Sequence, residues 1–252
     1  MAKHVVFDIV GTLVSFEAFY NRIDETIGEK LRANGIPAQL FGAFWMTSAE
    51  LEFTFLSISS RHRSYKDVMK AVFYRSLGFA GIKDPRAFAT DEERDKCQEG
   101  YSLLALREGA KECIEILRKN DFQVWCLTTA DIARVQGYFQ RGGVDMPADA
   151  FVSCDSQGVA KPALAAYKPI FEKLGKEDQK WFAAAHMWDV SAARQVGFKV
   201  DISQFNGPQF HANSAQGAYC SAYEKEDCLE IFGGEMEVMA DTLVEMAQKL
   251  VQ

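Results

Sequence analysis

The stretch His4–Leu13, which reads HVVFDIVGTL, decides the fold. Its apolar run Val5–Phe7 is too short for a helix and is typical of a buried strand. Gly11 and Thr12 then supply a turn with exposed backbone N–H groups. Asp8 is therefore predicted at the carboxyl end of a strand, where open α/β sheets keep their active sites. An aspartate at such a turn is also a common cap, so this segment alone leaves a catalytic and a structural interpretation open.

The composition narrows the class of protein. With 48% hydrophobic and 25% charged residues, the 252-residue chain is typical of a globular protein. Its net charge of -7 provides no basic face for nucleic acid. The sequence shows neither a signal peptide nor an apolar stretch that could span a bilayer, so we expect a cytoplasmic protein with no membrane partner. The six scattered cysteines form no Cys-x-x-Cys pair, which favours reduced, buried thiols over zinc ligands.

Hydrophobic periodicity divides the chain into two parts. Apolar residues recur at helical spacing over Phe16–Leu31, Phe41–Ile58 and Val68–Leu77, and Thr90 begins a capped helix. These four helices predict a helical subdomain over residues 14–106, inserted into the rest of the chain.

The remainder, residues 1–13 and 107–252, alternates between strands and helices. Buried strands are predicted at Phe122–Leu127, Ala150–Ser153 and Trp181–Ala185. Such alternation is typical of an α/β fold with a parallel sheet and helices on both faces. Residues 200–216 interrupt it with an irregular polar insertion, which we interpret either as a surface loop or as a retained intron translated in frame.

Polar side chains follow the predicted strands directly. Thr128 and Thr129 come after one strand, and Lys161 follows Ala160. The segment His186–Asp189 follows another strand. Because the carboxyl ends of parallel strands meet at one edge of a sheet, these groups and Asp8 are expected to converge.

In order and spacing these segments resemble the four motifs of the haloacid dehalogenase superfamily, and the helical insertion resembles the cap of its type II 2-haloacid dehalogenase branch. The resemblance implies a Rossmann-like core with a helical cap. It also implies that Asp8 is a nucleophile. Our own hypothesis from the residues adds that Lys161, His186 and Asp189 set the charge of Asp8. Homodimers are common in that branch, although no residue pattern identifies an interface.

Departures from the family pattern restrict the chemistry. Superfamily phosphatases carry a second aspartate two residues after the nucleophile, and this chain has Val10 there, which cannot move a proton. We therefore predict no phosphatase activity, no required metal and no cofactor. The branch usually carries a Trp-Arg pair in the cap, and this chain reads Trp45-Met46. His186 stands where the branch has asparagine, and either fixes a loop by hydrogen bonding or transfers a proton.

The cap is rich in aromatic residues, and we expect most of them to pack the helical bundle. Those that face the cleft would favour an apolar or aromatic small-molecule substrate. The candidate substrate-contacting residues are Val10, Trp45, Met46, Phe53, Thr128, Thr129 and Trp188.

The preferred hypothesis is an enzyme that opens or rearranges an epoxide, with Asp8 as nucleophile or acid, similar to fungal secondary-metabolism proteins that act on quinolone epoxides. One alternative is a hydrolytic 2-haloacid dehalogenase that binds its anionic substrate through Arg61 or Arg63. The other is a ligand-binding scaffold without catalysis.

Overall fold

The computed structural model describes residues 1–154, 158–198, 217–220, 231 and 238–252. It divides the chain into two compact units, which we call the core unit (Met1–Val14 with Leu106–Gln252) and the helical unit (Ser15–Ala105). The boundaries expected from the sequence lie one residue away from these. The insertion predicted at residues 200–216 lies outside the described residues.

The core unit is built on a six-stranded sheet with the order β5-β4-β1-β6-β7-β8, and every described pairing in it is parallel. Two further short strands, β2 and β3, pair with each other. In chain order the strands are β1 (Lys3–Phe7), β2 (Val14–Ser15), β3 (Ala105–Leu106), β4 (Phe122–Thr128), β5 (Phe151–Ser153), β6 (Gln179–Ala184), β7 (Gly217–Cys220) and β8 (Val238–Ala240). The predicted α/β class with a parallel sheet is confirmed.

Strand β1 lies at the centre of this sheet. Its Val5 pairs with Val124 on one side and with Trp181 on the other. A strand enclosed in this way is buried on both faces, which explains why Val5–Phe7 of β1 is an apolar run without alternation. From β1 the chain winds outward through β4 and β5, and then in the other direction through β6 and β7. The order therefore reverses between β1 and β6, and ligands of open α/β sheets bind at the carboxyl ends of the strands at such a switch point.

The helices follow the predicted periodicity. In chain order they are α1 (Glu17–Ala33), α2 (Ala38–Ile58), α3 (Tyr65–Phe79), α4 (Pro85–Phe88), α5 (Asp91–Glu99), α6 (Ala110–Lys119), α7 (Ile132–Arg141), α8 (Lys168–Lys173), α9 (Met187–Val196) and a C-terminal helix (Leu243–Leu250). Across the described ranges no helix combines the length and the apolar character needed to cross a membrane.

The core of the helical unit is aromatic. Trp45 packs against Phe19, Phe41 and Phe73, and its ring centroid lies 4.8 Å from that of Phe73. The sequence predicted four helices in this unit, and the structure adds the four-residue helix α4, which is too short to show a periodicity. Its N-terminus is capped by the Asp84 carboxylate, which accepts a hydrogen bond from the Ala87 N–H.

Four cysteines with described side chains are buried thiols: Cys97, Cys113, Cys126 and Cys154. Burial raises the pKa of the Cys97 thiol to about 12. Burial also raises the pKa of the Cys126 thiol. The Cys97 and Cys126 thiols therefore stay protonated near neutral pH and behave as small apolar groups, as the sequence predicted.

Candidate active site

The turn after β1 fixes the position of Asp8. The Asp8 N–H donates to the Ala183 carbonyl (2.9 Å), which extends the pairing of β1 with β6 by one residue. Gly11 adopts a φ of 94°, a left-handed conformation that favours glycine. The chain therefore reverses sharply, and the Thr12 hydroxyl donates to Oδ2 of Asp8 at 2.7 Å.

The Thr12 hydroxyl links the Asp8 carboxylate by hydrogen bonds to the end of β6. Its hydroxyl oxygen also accepts a hydrogen bond from the Ala185 N–H at 2.9 Å. Because that partner is a donor, the single hydroxyl hydrogen of Thr12 is left to point at Asp8. The side chain is buried, so this orientation is protected from exchange with water.

Lys161 joins the two carboxylates of the site. It lies in the loop after β5, and its Nζ contacts Oδ1 of Asp8 at 2.9 Å and Oδ2 of Asp189 at 2.8 Å. Asp189 comes from the first turn of α9, directly after β6. The structure therefore brings Asp8, Lys161 and Asp189 together, as the sequence predicted.

Burial and charge decide the protonation states of this cluster. Burial alone would lower the pKa of Lys161, but the carboxylates of Asp189 and Asp8 outweigh it and hold that pKa above its usual value. Lys161 therefore stays charged and offsets one of the two negative charges. Burial also raises the pKa of Asp189, against the opposing attraction of Lys161.

Tyr167 completes the environment of Asp189. Its phenol O–H donates to Oδ1 of Asp189 at 2.5 Å, in a fully buried position. Burial and the negative charge of Asp189 both raise the pKa of Tyr167, so the phenol keeps its proton and remains a donor. Each oxygen of Asp189 thus has a partner, Tyr167 on one and Lys161 on the other.

The two carboxylates differ in access. The Asp189 side chain is only 1% exposed, whereas that of Asp8 is 14% exposed. Asp8 is therefore the carboxylate that can meet an incoming molecule, and Asp189 is the one that holds Lys161. This difference suits Asp8 to nucleophilic attack and Asp189 to positioning.

The donor set does not fit a divalent cation. Magnesium sites in proteins are built from oxygen ligands, usually carboxylates with waters. Here the Lys161 ammonium stands between the two carboxylates at hydrogen-bond distance. No group of three His, Cys, Asp or Glu side chains suited to a metal occurs in the part of the chain that the structure describes.

His186 and Trp188 form the other half of the segment after β6. His186 is the residue before the first turn of α9, and its ring centroid lies 5.8 Å from that of Trp188. Both side chains are half-buried, as are Val10 and Thr129. Their predicted roles in proton transfer and substrate contact remain predictions.

The structure corrects the prediction for Thr128. This side chain is buried, and its hydroxyl oxygen accepts a hydrogen bond from the Ala130 N–H at 3.0 Å. The Thr128 carbonyl accepts a further bond from the Cys154 N–H. Thr128 therefore shapes the turn after β4 instead of presenting its side chain to a substrate.

Two cap residues predicted to contact substrate also belong to a packed core. Trp45 is 0% exposed and its indole N–H donates to the Met69 carbonyl at 2.9 Å. Phe53 is buried with its ring edge-on to Tyr65. Neither side chain has a face left for a ligand, so both predictions were wrong. Met46 is half-buried in α2, and its predicted substrate contact remains a prediction.

The sequence analysis did not identify two residues of this site, Thr12 and Tyr167. Thr12 was recognised only as part of a turn, although a hydroxyl four residues after Asp8 was a usable signal. Tyr167 was not recognised, because nothing in the sequence pattern around it distinguishes a phenol that donates to a carboxylate from one that only packs. Its contact with Asp189 depends on the tertiary fold.

Replacing Tyr167 with Phe tests this contact. The variant leaves Oδ1 of Asp189 buried without its donor, and we expect the free energy of unfolding to fall by about 2 kcal/mol. Thermal unfolding should report a decrease in Tm of roughly 4–8 °C for a chain of this size. Tyr74→Phe is the matched control, because Tyr74 also donates to a carboxylate, that of Asp91, at 2.5 Å but in a solvent-accessible position. Equal losses in the two variants would contradict the account.

Comparison with known proteins identifies the family. The chain matches the haloacid dehalogenase-like hydrolases over residues 2–197, which is more than half of its length, and it belongs to this family of enzymes. It is 24% identical over 202 residues to an (S)-2-haloacid dehalogenase of Xanthobacter autotrophicus, covering 79% of this chain and 74% of that protein. It is 21% identical over 209 residues to (S)-2-haloacid dehalogenase 4A of Burkholderia cepacia, covering 81% and 85%.

The fold is also similar to that of a solved dehalogenase. The structure of L-2-haloacid dehalogenase from Xanthobacter autotrophicus with chloropropionic acid covalently bound matches with a TM-score of 0.68 at 16% sequence identity. The match covers 99% of this chain and 98% of that chain. The Rossmann-like core and the dehalogenase-like branch predicted from the four motifs are therefore confirmed.

Proposed function

We propose that this enzyme catalyses hydrolytic displacement of a halide from a saturated carbon, with the Asp8 carboxylate as nucleophile. An oxygen of Asp8 forms a bond to the carbon while the halide leaves with the bonding electron pair, which gives an ester on the enzyme. Water then adds to the ester carbonyl. The products are an alcohol, a halide ion and a proton, and Asp8 regains a carboxylate that contains one oxygen from water.

The observation that carries this proposal is the position of Asp8. It is the accessible member of a buried carboxylate pair, and its two oxygens are aligned by Lys161 and Thr12. An aligned nucleophile gains rate because the orientation is fixed before the reaction. The adjacent Lys161 ammonium also compensates negative charge close to the reacting carbon.

The residue at position 10 indicates which leaving group the site can accept. An alcohol leaving from a phosphate ester needs a proton, and a halide does not. Val10 has no proton to give at the position where superfamily phosphatases have an acid. The relatives named (S)-2-haloacid dehalogenase support a carbon–halogen bond as the bond that is broken.

His186 favours a second candidate function, the opening or rearrangement of an epoxide. An epoxide is an electrophilic carbon like an alkyl halide, but its oxygen must gain a proton when the ring opens. His186 is a titratable side chain directly before α9, in the segment that also carries Asp189. The burial of Trp45 and Phe53 removes two of the aromatic contacts that favoured an aromatic substrate. Trp188 is half-buried and is the remaining aromatic candidate for such a contact among the residues predicted to bind substrate.

A substrate panel distinguishes these functions. Purified protein is incubated separately with both enantiomers of 2-chloropropionate, with terminal and aryl epoxides, and with p-nitrophenyl phosphate as a control. We expect halide release from the chloroacid and no phosphate release. Epoxide turnover without halide release would instead assign the second candidate. Release of phosphate would contradict the role given to Val10, and no turnover on any substrate would favour a ligand-binding scaffold.

A further inference from the structure

Arg107 holds the turn that follows β1. It comes directly after β3 and belongs to the core unit. Its guanidinium Nη2 donates to the Gly11 carbonyl at 2.6 Å, and its backbone N–H donates to the Leu13 carbonyl at 2.8 Å. Gly11 and Leu13 are the residues on either side of Thr12. One residue, 96 positions along the chain from Gly11, therefore binds both of the backbone carbonyls that flank Thr12.

The turn also has hydrogen bonds of its own. The Gly11 N–H donates to the Val14 carbonyl at 2.9 Å, and the Val14 N–H donates to the Ile9 carbonyl at 3.0 Å. These bonds give the turn its shape, but they do not connect it to the rest of the core unit. Arg107 supplies such a connection, and so does the Ala185 N–H that donates to the hydroxyl within the turn.

The backbone of Arg107 is itself fixed by the start of α6. Its carbonyl accepts a hydrogen bond from the Ala110 N–H at 3.1 Å. Ala110 is fully buried, and α6 packs against β4 and the C-terminal helix. The turn is therefore held from a packed part of the core unit, although Arg107 is an exposed residue.

We infer that Arg107 is a positioning residue for the Asp8 carboxylate. Through Gly11 and Leu13 it fixes the backbone of Thr12, and the Thr12 hydroxyl donates to Oδ2 of Asp8 at 2.7 Å. These contacts of Arg107 are to the backbone of the turn, so its effect on the reaction passes through Thr12. The inference rests on the proposed function, because it takes the Asp8 carboxylate as the group that attacks carbon.

The chemistry of the contact suits this role. A hydrogen bond from a charged donor is shorter and stronger than one between neutral groups. Such a bond matters most where the backbone is otherwise free to move, and Gly11 has more conformational freedom than any other type of residue. Without Arg107 the Thr12 hydroxyl can shift relative to Asp8. A displacement of about 1 Å near reacting atoms can reduce a rate by about 100-fold.

Arg107→Met tests the inference in the full chain. Methionine keeps much of the aliphatic stem but has no donor, and at an exposed position it creates no cavity. With racemic 2-chloropropionate, or with styrene oxide if the substrate panel assigns the epoxide function, kcat should fall about 10–100-fold. KM should stay within about threefold, because the lost contact does not involve the substrate. Arg107→Lys should recover most of kcat, because a single N–H···O contact does not require the planar guanidinium.

Arg118→Met is the matched control. Arg118 is also an exposed residue of the core unit, and its guanidinium also donates to a backbone carbonyl, that of Asp145, at 2.8 Å. This variant should keep the wild-type kcat. Equal losses of kcat in Arg107→Met and Arg118→Met would overturn the inference. A rise in KM with kcat unchanged would also overturn it, because Arg107 would then act on substrate binding.

Amide hydrogen exchange separates this inference from the proposed function. In Arg107→Met the Gly11 and Val14 amides should exchange about tenfold faster than in wild type. The Asp8 amide, which donates to the Ala183 carbonyl within the sheet, should exchange at the wild-type rate. If wild type turns over none of the substrates, the proposed function fails, and exchange then decides whether Arg107 holds the turn. Unchanged exchange at Gly11 and Val14 would overturn the inference whatever the activity.

Discussion

The Asp8→Asn variant is expected to lose turnover of every halide or epoxide substrate that wild type accepts, by about 10⁴-fold or more. The amide is a far weaker nucleophile than the carboxylate, and no other accessible carboxylate occurs in the described Asp8, Lys161, Asp189 cluster. The fold should remain, because the Asn carbonyl can accept from Lys161 and its NH₂ can donate to the Thr12 hydroxyl. Initial rates of halide release or epoxide loss measure the effect.

Asp121→Asn is the control for this change. Asp121 is exposed and has a φ of 65°, a left-handed conformation that asparagine tolerates well. The control should therefore keep wild-type rates and stability. If an Asp8→Asn variant with an intact fold retains a tenth or more of the wild-type rate, Asp8 is not the nucleophile.

The Lys161→Met variant is expected to lose both activity and stability. Removing the ammonium leaves Asp8 and Asp189 facing each other without a cation, and breaking a buried ion pair in this way costs about 3–5 kcal/mol. For a chain of this size that corresponds to a decrease in Tm of roughly 6–20 °C. Differential scanning calorimetry measures it.

The stability loss of Lys161→Met should depend on pH in a defined direction. Without Lys161, burial and mutual repulsion raise the carboxyl pKa values in the folded protein above their unfolded values. A carboxyl group with a raised folded pKa destabilises the fold as pH rises through that pKa, because ionisation is then easier in the unfolded chain. The loss should therefore be larger at pH 8 than at pH 5. A loss that is constant, or larger at pH 5, would contradict this explanation.

Lys180→Met is the matched control for the lysine substitution. Lys180 is also buried, but its Nζ lies 4.1 Å from the ring centroid of Phe171 and makes no ion pair with a carboxylate in the described ranges. Methionine keeps most of the volume and the apolar contact, so we expect a loss below about 1.5 kcal/mol. A loss as large as that of Lys161→Met would show that burial, and not charge balance, explains both variants.

The sequence predicted the carboxyl edge of the sheet well because the responsible signals are local. Val5–Phe7 is apolar on both faces, as a central strand must be, and Asp8 and Asp189 each come shortly after a strand. The order of these segments then places them at one switch point. Tyr167 was not found because its hydrogen bond to Asp189 spans 22 residues and has no local pattern.

The predictions for Trp45 and Phe53 in α2 failed for a different physical reason. Periodicity identifies which residues share a face, but α2 is apolar on opposite faces, so the pattern does not reveal which face enters the core. Trp45 and Phe53 were assigned to a ligand and lie in the core, while Leu51 and Phe55 are exposed. Only the packing of α1 and α3 against α2 decides between the two faces.

The central claim, that Asp8 attacks carbon, is tested most directly by oxygen labelling. Enzyme in excess over a halide substrate reacts once in H₂¹⁸O, and the peptide containing Asp8 and the alcohol product are then analysed by mass spectrometry. The account predicts that ¹⁸O enters the Asp8 carboxylate and that the first-turnover alcohol is unlabelled, because its oxygen comes from Asp8. Labelled alcohol together with an unlabelled Asp8 peptide would mean that water attacks the carbon directly, and would contradict the account.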